Sequence, residues 1–159
     1  MELKQFSLPL PVALLVLLIL FGLAAAIMQT TTPRVSIEQK KSALVRIGST
    51  EVSAEVVNIP AARERGLSGH APLGASEGML FVFDKEDEHG FWMKDMLFSI
   101  DIIWIDSSYN IVSIKENATP ESYPEVFYPA SPVKYVLEVS AGFAATHSIA
   151  EGSKVVVEY

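Results

Sequence analysis

The sequence predicts a mainly β fold: a single small antiparallel β sandwich or partly open barrel with two short helices, preceded by an N-terminal transmembrane or signal helix. Short segments rich in β-branched and aromatic residues follow one another from residue 43 to the C-terminus. Only two stretches have helical character, and they do not alternate with the strands, which argues against a parallel doubly wound sheet. A long apolar run precedes all of these elements.

About eight strands are expected, and the first two form a hairpin. The segments 43–48 and 51–59 are rich in β-forming residues and are separated by a Gly-Ser-Thr-Glu turn. A helix of two turns follows in 58–69, with Asn58 as its cap, Pro60 in its first turn and Gly69 at its end. A second short helix is expected in 141–148, capped by Ser140. The remaining strands are predicted at 77–84, 90–96, 99–106, 111–117, 133–140 and 154–159.

Residues 8–28 form an almost wholly apolar run, and 1–28 are predicted to be a membrane anchor or a signal segment. The run has 21 residues, and about 20 suffice to span a bilayer as a helix. It exceeds the usual signal-peptide core of about 7–15 residues, which favours a retained anchor over cleavage near Ala26. Residues 29–42 are predicted to be a polar tether and 43–159 a β-rich domain.

The location of this domain follows from the flanks of the apolar run. Its tail of small residues favours export, so we expect a membrane-anchored domain on the extracytoplasmic side. Two alternatives stay open. Cleavage would release a secreted domain, and the positive charges of Lys40 and Lys41 would favour a domain facing the cytoplasm. The membrane is the only partner that the sequence indicates directly, through residues 8–28.

The charge and composition exclude several classes of function. The chain carries 12 basic and 19 acidic residues, for a net charge of −7. An acidic domain without a basic stripe is a poor nucleic-acid binder, so no nucleic-acid partner is predicted. The chain has no cysteine, which excludes disulfides and thiolate chemistry. His70, His89 and His147 match no metal-ligand spacing, so neither a metal nor a cofactor is predicted.

Five motifs occur in a recognisable order: RERGLSGH, EGMLFVFD, FWMKDM, SIDIIWID and YVLEV. Together they resemble the bacterial and archaeal family called domain of unknown function 192, over roughly Val45 to Glu158. The resemblance implies a small, mostly β, single-domain protein, and many members carry an export signal or a membrane anchor. It implies no catalytic residues. The chain departs from the family's usual FWMKNT at Asp95 and Met96, which replace an amide and a hydroxyl.

Several charged residues are embedded in predicted strands. Because successive side chains of a strand face opposite sides, Asp101 shares its face with Ile103 and Ile105. Buried charges are unfavourable unless they are paired, so we expect a network in which Lys94 faces Asp101. Three further charged residues are expected near this pair: Glu55, Glu138 and Arg65.

Three interpretations of this polar cluster remain open. It could line a pocket that binds a polar ligand or performs acid–base chemistry. The charges could instead point outward from sheets that are buried on one side only. They could also form a closed structural ion network.

The connection at 118–132 is long and unusual in composition. It holds four prolines and three aromatic residues, Tyr123, Phe127 and Tyr128. Irregular loops beyond about 12–15 residues are often lids or binding loops. The alternative is a packed cover that protects a sheet edge.

The function predicted from these observations is a binding or interaction module for a small polar ligand, a glycan or a protein partner. The alternative is a cell-envelope hydrolase in which Asp101 works with a second carboxylate. Glycosidases, for example, place two carboxyl groups about 5–5.5 Å or 6.5–9.5 Å apart in an open cleft.

Overall fold

The computed structural model describes residues 41–159. The predicted anchor at 1–28 and the tether up to residue 40 lie outside the described residues. In the described part of the chain, no helix has the length and apolar character that crossing a bilayer requires.

The described domain contains nine β strands, two short α helices and one 3-10 helix. The first half comprises β1 (Ser42–Ile47), β2 (Thr50–Val57), α1 (Pro60–Arg65), β3 (Glu77–Asp87), β4 (Phe91–Trp92) and β5 (Ile100–Ile105). The second half comprises β6 (Ile111–Ala118), the 3-10 helix Pro120–Ser122, β7 (Val126–Phe127), β8 (Val133–Ser140), α2 (Phe143–Thr146) and β9 (Val155–Glu158).

Seven strands form one curled sheet, in the order β6-β5-β8-β3-β2-β1-β9, and β4 pairs separately with β7. The predicted hairpin of β1 and β2 is confirmed, with an antiparallel register from Ser42–Glu55 to Ile47–Thr50. The prediction of a fully antiparallel sheet is wrong, because β2 and β3 run parallel. A parallel pair needs a long crossover connection, and α1 lies in that crossover.

The two outer strands of the sheet approach each other at one end. Asn110, just before β6, forms an antiparallel bridge with Lys154, just before β9. The amide of Ile111 also donates to the carbonyl of Ser153 at 3.0 Å. Of the two predicted architectures, the fold is therefore the partly open barrel and not the sandwich.

Both faces of the large sheet are covered by apolar clusters. Ile103 and Ile105 of β5 belong to the first cluster. Ile100, Ile102 and Trp104 belong to the second, which lies on the other face. The alternation predicted for this strand is confirmed. Every residue of β5 is buried, however, so the interpretation that its charge points outward to solvent is wrong.

The segment FWMKDM is not the strand that its composition predicts. Only Phe91–Trp92 are extended, and they pair with β7 rather than with β5. The chain then turns, with Asp95 at φ 55°, in the left-handed region. The carbonyl of Asp95 accepts the amide of Gly69 at 2.9 Å. Asparagine and aspartate are the non-glycine residues that tolerate this conformation best.

Substitutions at Asp95 are expected to affect stability through this backbone conformation. Asp95→Asn, the residue type that the resembled family usually carries, is expected to change the free energy of unfolding by less than about 0.5 kcal/mol. Asp95→Val is expected to lower it by about 1–2 kcal/mol, because a β-branched residue is strained at positive φ. Urea denaturation measures both values. Asp84→Val, the same change at an exposed β3 position, is the control and should be nearly neutral.

Three further predictions of local structure need correction. Helix α2 has Gly142 at its N-terminal cap and lacks the predicted side-chain cap from Ser140. Helix α1 begins after Ile59, without a side-chain cap from Asn58, and ends at Gly66 rather than Gly69. The connection 118–132 is not irregular throughout, since it contains the 3-10 helix and β7. It packs closely on β4: a Cβ on Gly90 would lie 2.6 Å from Cε1 of Tyr128.

Candidate functional site

The cleft with the strongest candidate chemistry lies on the face of the sheet that carries the second apolar cluster. Its volume is about 230 Å³, somewhat smaller than the roughly 300–1,000 Å³ typical of sites for drug-sized ligands. Three structural segments supply most of its walls: α1 with the turn that follows it, strand β3, and the chain around β4. Glu138 of β8 lies among the lining residues.

The end of α1 forms one wall, and Gly66 makes its position possible. Gly66 ends the helix at φ 48°, a backbone region that glycine adopts without strain. A Cβ at this position would lie 3.3 Å from Cζ of Phe81. The small residue therefore lets the turn approach the aromatic wall, and it leaves Arg63 and Arg65 of the helix at the cleft.

Aromatic side chains from β3 and β4 form the opposite wall. Phe81 and Phe91 meet edge to face with ring centroids 4.8 Å apart. Phe83 and His89 stack with centroids 3.5 Å apart. Trp104 donates its indole N–H to the carbonyl of His89 at 3.0 Å, which fixes the chain just before β4. These contacts hold the wall in one arrangement before any ligand is present.

Glu138 is the most unusual residue of the cleft. Its neighbours across the sheet are Met79 on β3 and Ile102 on β5, both apolar and fully buried. The residue is only 4% exposed. Its Oε2 is buried and accepts no hydrogen bond from any described residue. A buried polar atom without a partner is unfavourable, and such atoms are rare in native proteins.

Burial changes the acid–base behaviour of this carboxyl group. Removing the carboxylate from water raises the pKa of Glu138 from 4.5 to about 8. Desolvation is the cause of this pKa shift. The carboxyl group is therefore mostly protonated at pH 7, and it then offers one hydrogen-bond donor as well as an acceptor.

The charges at the cleft are mainly positive. Arg63 donates through Nη1 to the carbonyls of Asn58 and Val82, at 2.6 and 2.9 Å. Its guanidinium also lies 5.0 Å from the ring centroid of Phe83. Both oxygen acceptors are neutral, so the positive charge of Arg63 is held in place without being neutralised. Arg65 is exposed, and Glu64 is the acidic neighbour between the two arginines.

The structure does not bring the five members of the predicted polar cluster together. Glu138 and Arg65 line the same cleft. Glu55 lies on the same face of the sheet as Glu138 but two strands away, with Met79 between them. Lys94 is exposed in the turn after β4. Among residues 41–159, the ion pairs join Arg46 to Glu51 and to Glu158, so the predicted pairing of Lys94 with Asp101 is wrong.

Asp101 satisfies its charge with backbone amides instead. Its Oδ1 accepts the amides of Asn117 and Gly142 at 2.8 and 3.0 Å. Its Oδ2 accepts the amide of Ala144 at 2.9 Å. Asp101 is fully buried and lies on the sheet face opposite to Glu138, outside the cleft. It therefore connects β5, the end of β6 and the start of α2, and it is not available to a substrate.

The aromatic residues of the predicted lid do not line this cleft. Phe127 is paired with Phe91 in the small sheet and lies under the ammonium of Lys115, 4.7 Å from the ring centroid. Tyr123 and Tyr128 are exposed, at 48% and 62%. The connection packs against β4, as the alternative of a packed cover expects, and the lid over the predicted cluster is not formed.

Sequence reasoning missed most of the cleft. The predicted polar cluster does not include Arg63, Phe81, Phe83 or Phe91, and the sequence indicates no role for His89 beyond the absence of a metal-ligand spacing. The ring of His89 instead stacks on Phe83, with its Nε2 3.1 Å from the carbonyl of Lys85. One signal was present: Phe81 and Phe83 alternate on one face of a strand, and a third phenylalanine follows at residue 91. Within residues 41–159, no group of three or more acidic, histidine or cysteine side chains could hold a metal ion.

Comparisons with known proteins place the fold in context. The domain aligns at 28% identity with a putative transcription regulator from Sinorhizobium meliloti 1021, with a TM-score of 0.67, over 73% of this chain and 92% of that one. It aligns at 30% identity with a protein of unknown function from Novosphingobium aromaticivorans DSM 12444, again with a TM-score of 0.67, over 72% and 83% of the two chains.

The family comparison agrees with the motifs. No curated protein matches the chain. The model of the family DUF192, described as "Uncharacterized ACR", matches residues 43–157, which is nearly the whole described domain. The chain therefore belongs to the domain of unknown function 192 family.

Proposed function

We propose that the domain is a binding module whose site is the cleft above Glu138, and that its ligand is a small polar molecule with an apolar body. The observation that carries this proposal is the buried, unpartnered oxygen of Glu138 within an aromatic cleft. A bound ligand that supplies a hydrogen bond to this carboxyl group would offset the unfavourable burial.

The shape of the cleft supports a small molecule as the ligand. Binding sites are typically concave and mostly apolar, with a few polar groups that orient the ligand. Here the apolar part is aromatic and its rings are fixed by mutual contacts. The polar side chains of the lining include the carboxyl group of Glu138 and the arginines of α1. A volume of about 230 Å³ suits a ligand of metabolite size.

The alternative of a hydrolase that uses Asp101 has no support in the geometry. The three backbone hydrogen bonds of Asp101 occupy both of its oxygens, and its side chain faces away from the cleft. The nearest acid on β8, Glu138, is on the other side of the sheet. Attachment to a membrane through residues 8–28, on the extracytoplasmic side, stays a prediction of the sequence.

A ligand screen by two-dimensional amide NMR tests the proposal. The panel contains monosaccharides, nucleosides, amino acids and small aromatic acids and amines. At least one compound is expected to shift the amides of Gly66 and Gly90 together with the indole N–H of Trp92, all of which line the cleft. The same compound should raise the free energy of unfolding, by about 2.7 kcal/mol when its free concentration is 100 times its Kd.

Glu138→Met is the matched variant for this screen, because it replaces the carboxyl group with an apolar chain of similar length. The shifts are expected to weaken or disappear in this variant. Glu116→Gln, at an exposed position of β6, should leave them unchanged. The proposal is contradicted if no compound perturbs the cleft, or if the binding compounds act equally on the Glu138→Met variant.

A further inference from the structure

The distribution of charge around the cleft narrows the class of ligand, given the binding function proposed above. The whole chain has 12 basic and 19 acidic residues. The lining of the cleft reverses this balance, with Arg63 and Arg65 against Glu64. Glu138 adds little negative charge at pH 7, because it is mostly protonated there.

The two arginines contribute in different ways. The guanidinium of Arg63 is fixed by two backbone carbonyls and by the ring of Phe83, so its charge acts on the cleft from a constant position. Arg65 is exposed, and its guanidinium makes no hydrogen bond or ion pair with another residue of the described domain. It can therefore turn towards a bound ligand and form two parallel hydrogen bonds to a carboxylate.

We infer that the cleft selects a small organic anion with an aromatic or aliphatic body, whose charged group lies at Arg65 and whose opposite end accepts a hydrogen bond from Glu138. The aromatic wall formed by Phe81, Phe83 and Phe91 contacts the body of this molecule. An organic cation fits less well, because it would meet two arginines and would require Glu138 to lose its proton inside an apolar environment.

The inference has a specific consequence for pH. Above pH 8 Glu138 ionises, loses its donor and repels an anion, so the affinity for the anion is expected to fall. The other titratable groups that line the cleft are Arg63, Glu64, Arg65 and His89. Glu55 faces the same side from β2. Of these residue types only histidine ordinarily titrates between pH 5 and 8, next to the pH range in which Glu138 ionises. The pH dependence of binding is therefore measured in parallel for the His89→Gln variant, so that the effect of Glu138 can be separated from that of a histidine.

Three matched pairs of probes test the inference, each with similar bodies, opposite charge and an oxygen acceptor at the uncharged end: 4-hydroxyphenylacetate and tyramine, 4-methoxyphenylacetate and 4-methoxyphenethylamine, and 4-hydroxybutyrate and 4-amino-1-butanol. Affinities are measured by NMR titration of the cleft amides. In at least one pair the acid is expected to bind at least tenfold more tightly than the amine at pH 7. Arg65→Met should reduce the affinity for the acid about tenfold, and Lys94→Met, which removes an exposed charge outside the cleft, should leave it unchanged.

Glu138→Gln separates the two possible roles of the carboxyl group. The amide keeps a donor but cannot ionise, so the acid should still bind and its affinity should no longer fall above pH 8. If Glu138 instead bound an amine as an ionised carboxylate, the Glu138→Gln variant would no longer bind that amine.

The outcomes distinguish this inference from the proposed function. Tighter binding of the amines within the cleft, or equal binding of both members of every pair, overturns the anion preference and leaves a binding site in place. If none of the six probes binds, the inference is tested by the compounds that bind in the wider screen. Binding of acids supports the inference, and binding of amines or neutral compounds overturns it. If no compound of any charge perturbs the cleft, the binding function itself fails.

Discussion

Replacing Glu138 with glutamine is expected to abolish a loss of stability that the wild-type protein undergoes between pH 5 and pH 8. The reason is the environment of this side chain. Glu138 lies between Met79 and Ile102 in the middle of the sheet, where the charged form has no partner. In the unfolded chain the same carboxyl group is fully hydrated and ionises near its ordinary pKa of 4.5.

The direction of the effect follows from proton binding. Burial raises the pKa of Glu138 to about 8, so between pH 4.5 and 8 the folded state holds a proton that the unfolded state has released. The unfolded state therefore gains relative stability as the pH rises, by about 1.4 kcal/mol per pH unit. The stability contributed by the proton is fully present below pH 4.5, declines from there to pH 8 and stays at its lower level above that.

The measurement is the difference between two curves of unfolding free energy against pH. From pH 5 to pH 8, wild type is expected to lose about 4 kcal/mol relative to Glu138→Gln. Contributions from every other titratable group appear in both proteins and cancel. Glu116→Gln, an exposed control on β6, should give a curve that runs parallel to wild type. Parallel curves for wild type and Glu138→Gln would show that the carboxyl group is hydrated or paired in solution.

The strands could be predicted because their information is local. The alternation of Ile100, Ile102 and Trp104 with Asp101, Ile103 and Ile105 assigns each side chain of β5 to its face, and the two apolar clusters divide in the same way. Strand pairing is not local. FWMKDM has the composition of a strand, but the left-handed residue Asp95 turns the chain, and β5 finds its partners in β6 and β8.

The polar cluster could not be resolved from the sequence for a related reason. Asp101 and Glu138 look equivalent there, since each is an acid among apolar residues of a strand. Whether such an acid is satisfied depends on amides far away in the chain. Asp101 meets Gly142 and Ala144, more than 40 residues later, whereas Glu138 meets only apolar side chains across its two neighbouring strands. The cleft likewise depends on where the α1 turn is placed over β3.

Removing the carboxylate of Asp101 is expected to be the most destabilising single substitution among the charged residues of the domain. Asp101→Ala would leave the amides of Asn117, Gly142 and Ala144 without their acceptor. Each buried group that loses its partner costs about 1–3 kcal/mol. We expect the free energy of unfolding to fall by about 4 kcal/mol or more, a large share of the roughly 5–15 kcal/mol of a typical domain.

Asp101→Asn and Lys94→Met make the interpretation specific. Asparagine keeps one oxygen acceptor, but its side-chain NH2 group faces a backbone N–H that the carboxylate accepted. We therefore expect the free energy of unfolding of Asp101→Asn to fall by an intermediate amount, about 2–3 kcal/mol. If Asp101 were stabilised by an ion pair with Lys94, Lys94→Met would destabilise the domain to a similar extent. Because Lys94 is exposed in a turn, we expect a change within about 0.5 kcal/mol.

Urea denaturation measures these stabilities, and amide hydrogen exchange identifies the site of the damage. In Asp101→Asn, protection should fall first at Ala144 and at Asn117, whose amides donate to the carboxylate. The cleft lies on the opposite face of the sheet, so the amides of Gly66 and Gly90 should keep their chemical shifts and their response to ligands. A loss of ligand binding in the folded Asp101→Asn variant would show that the two faces of the sheet are coupled and that Asp101 contributes to the binding site.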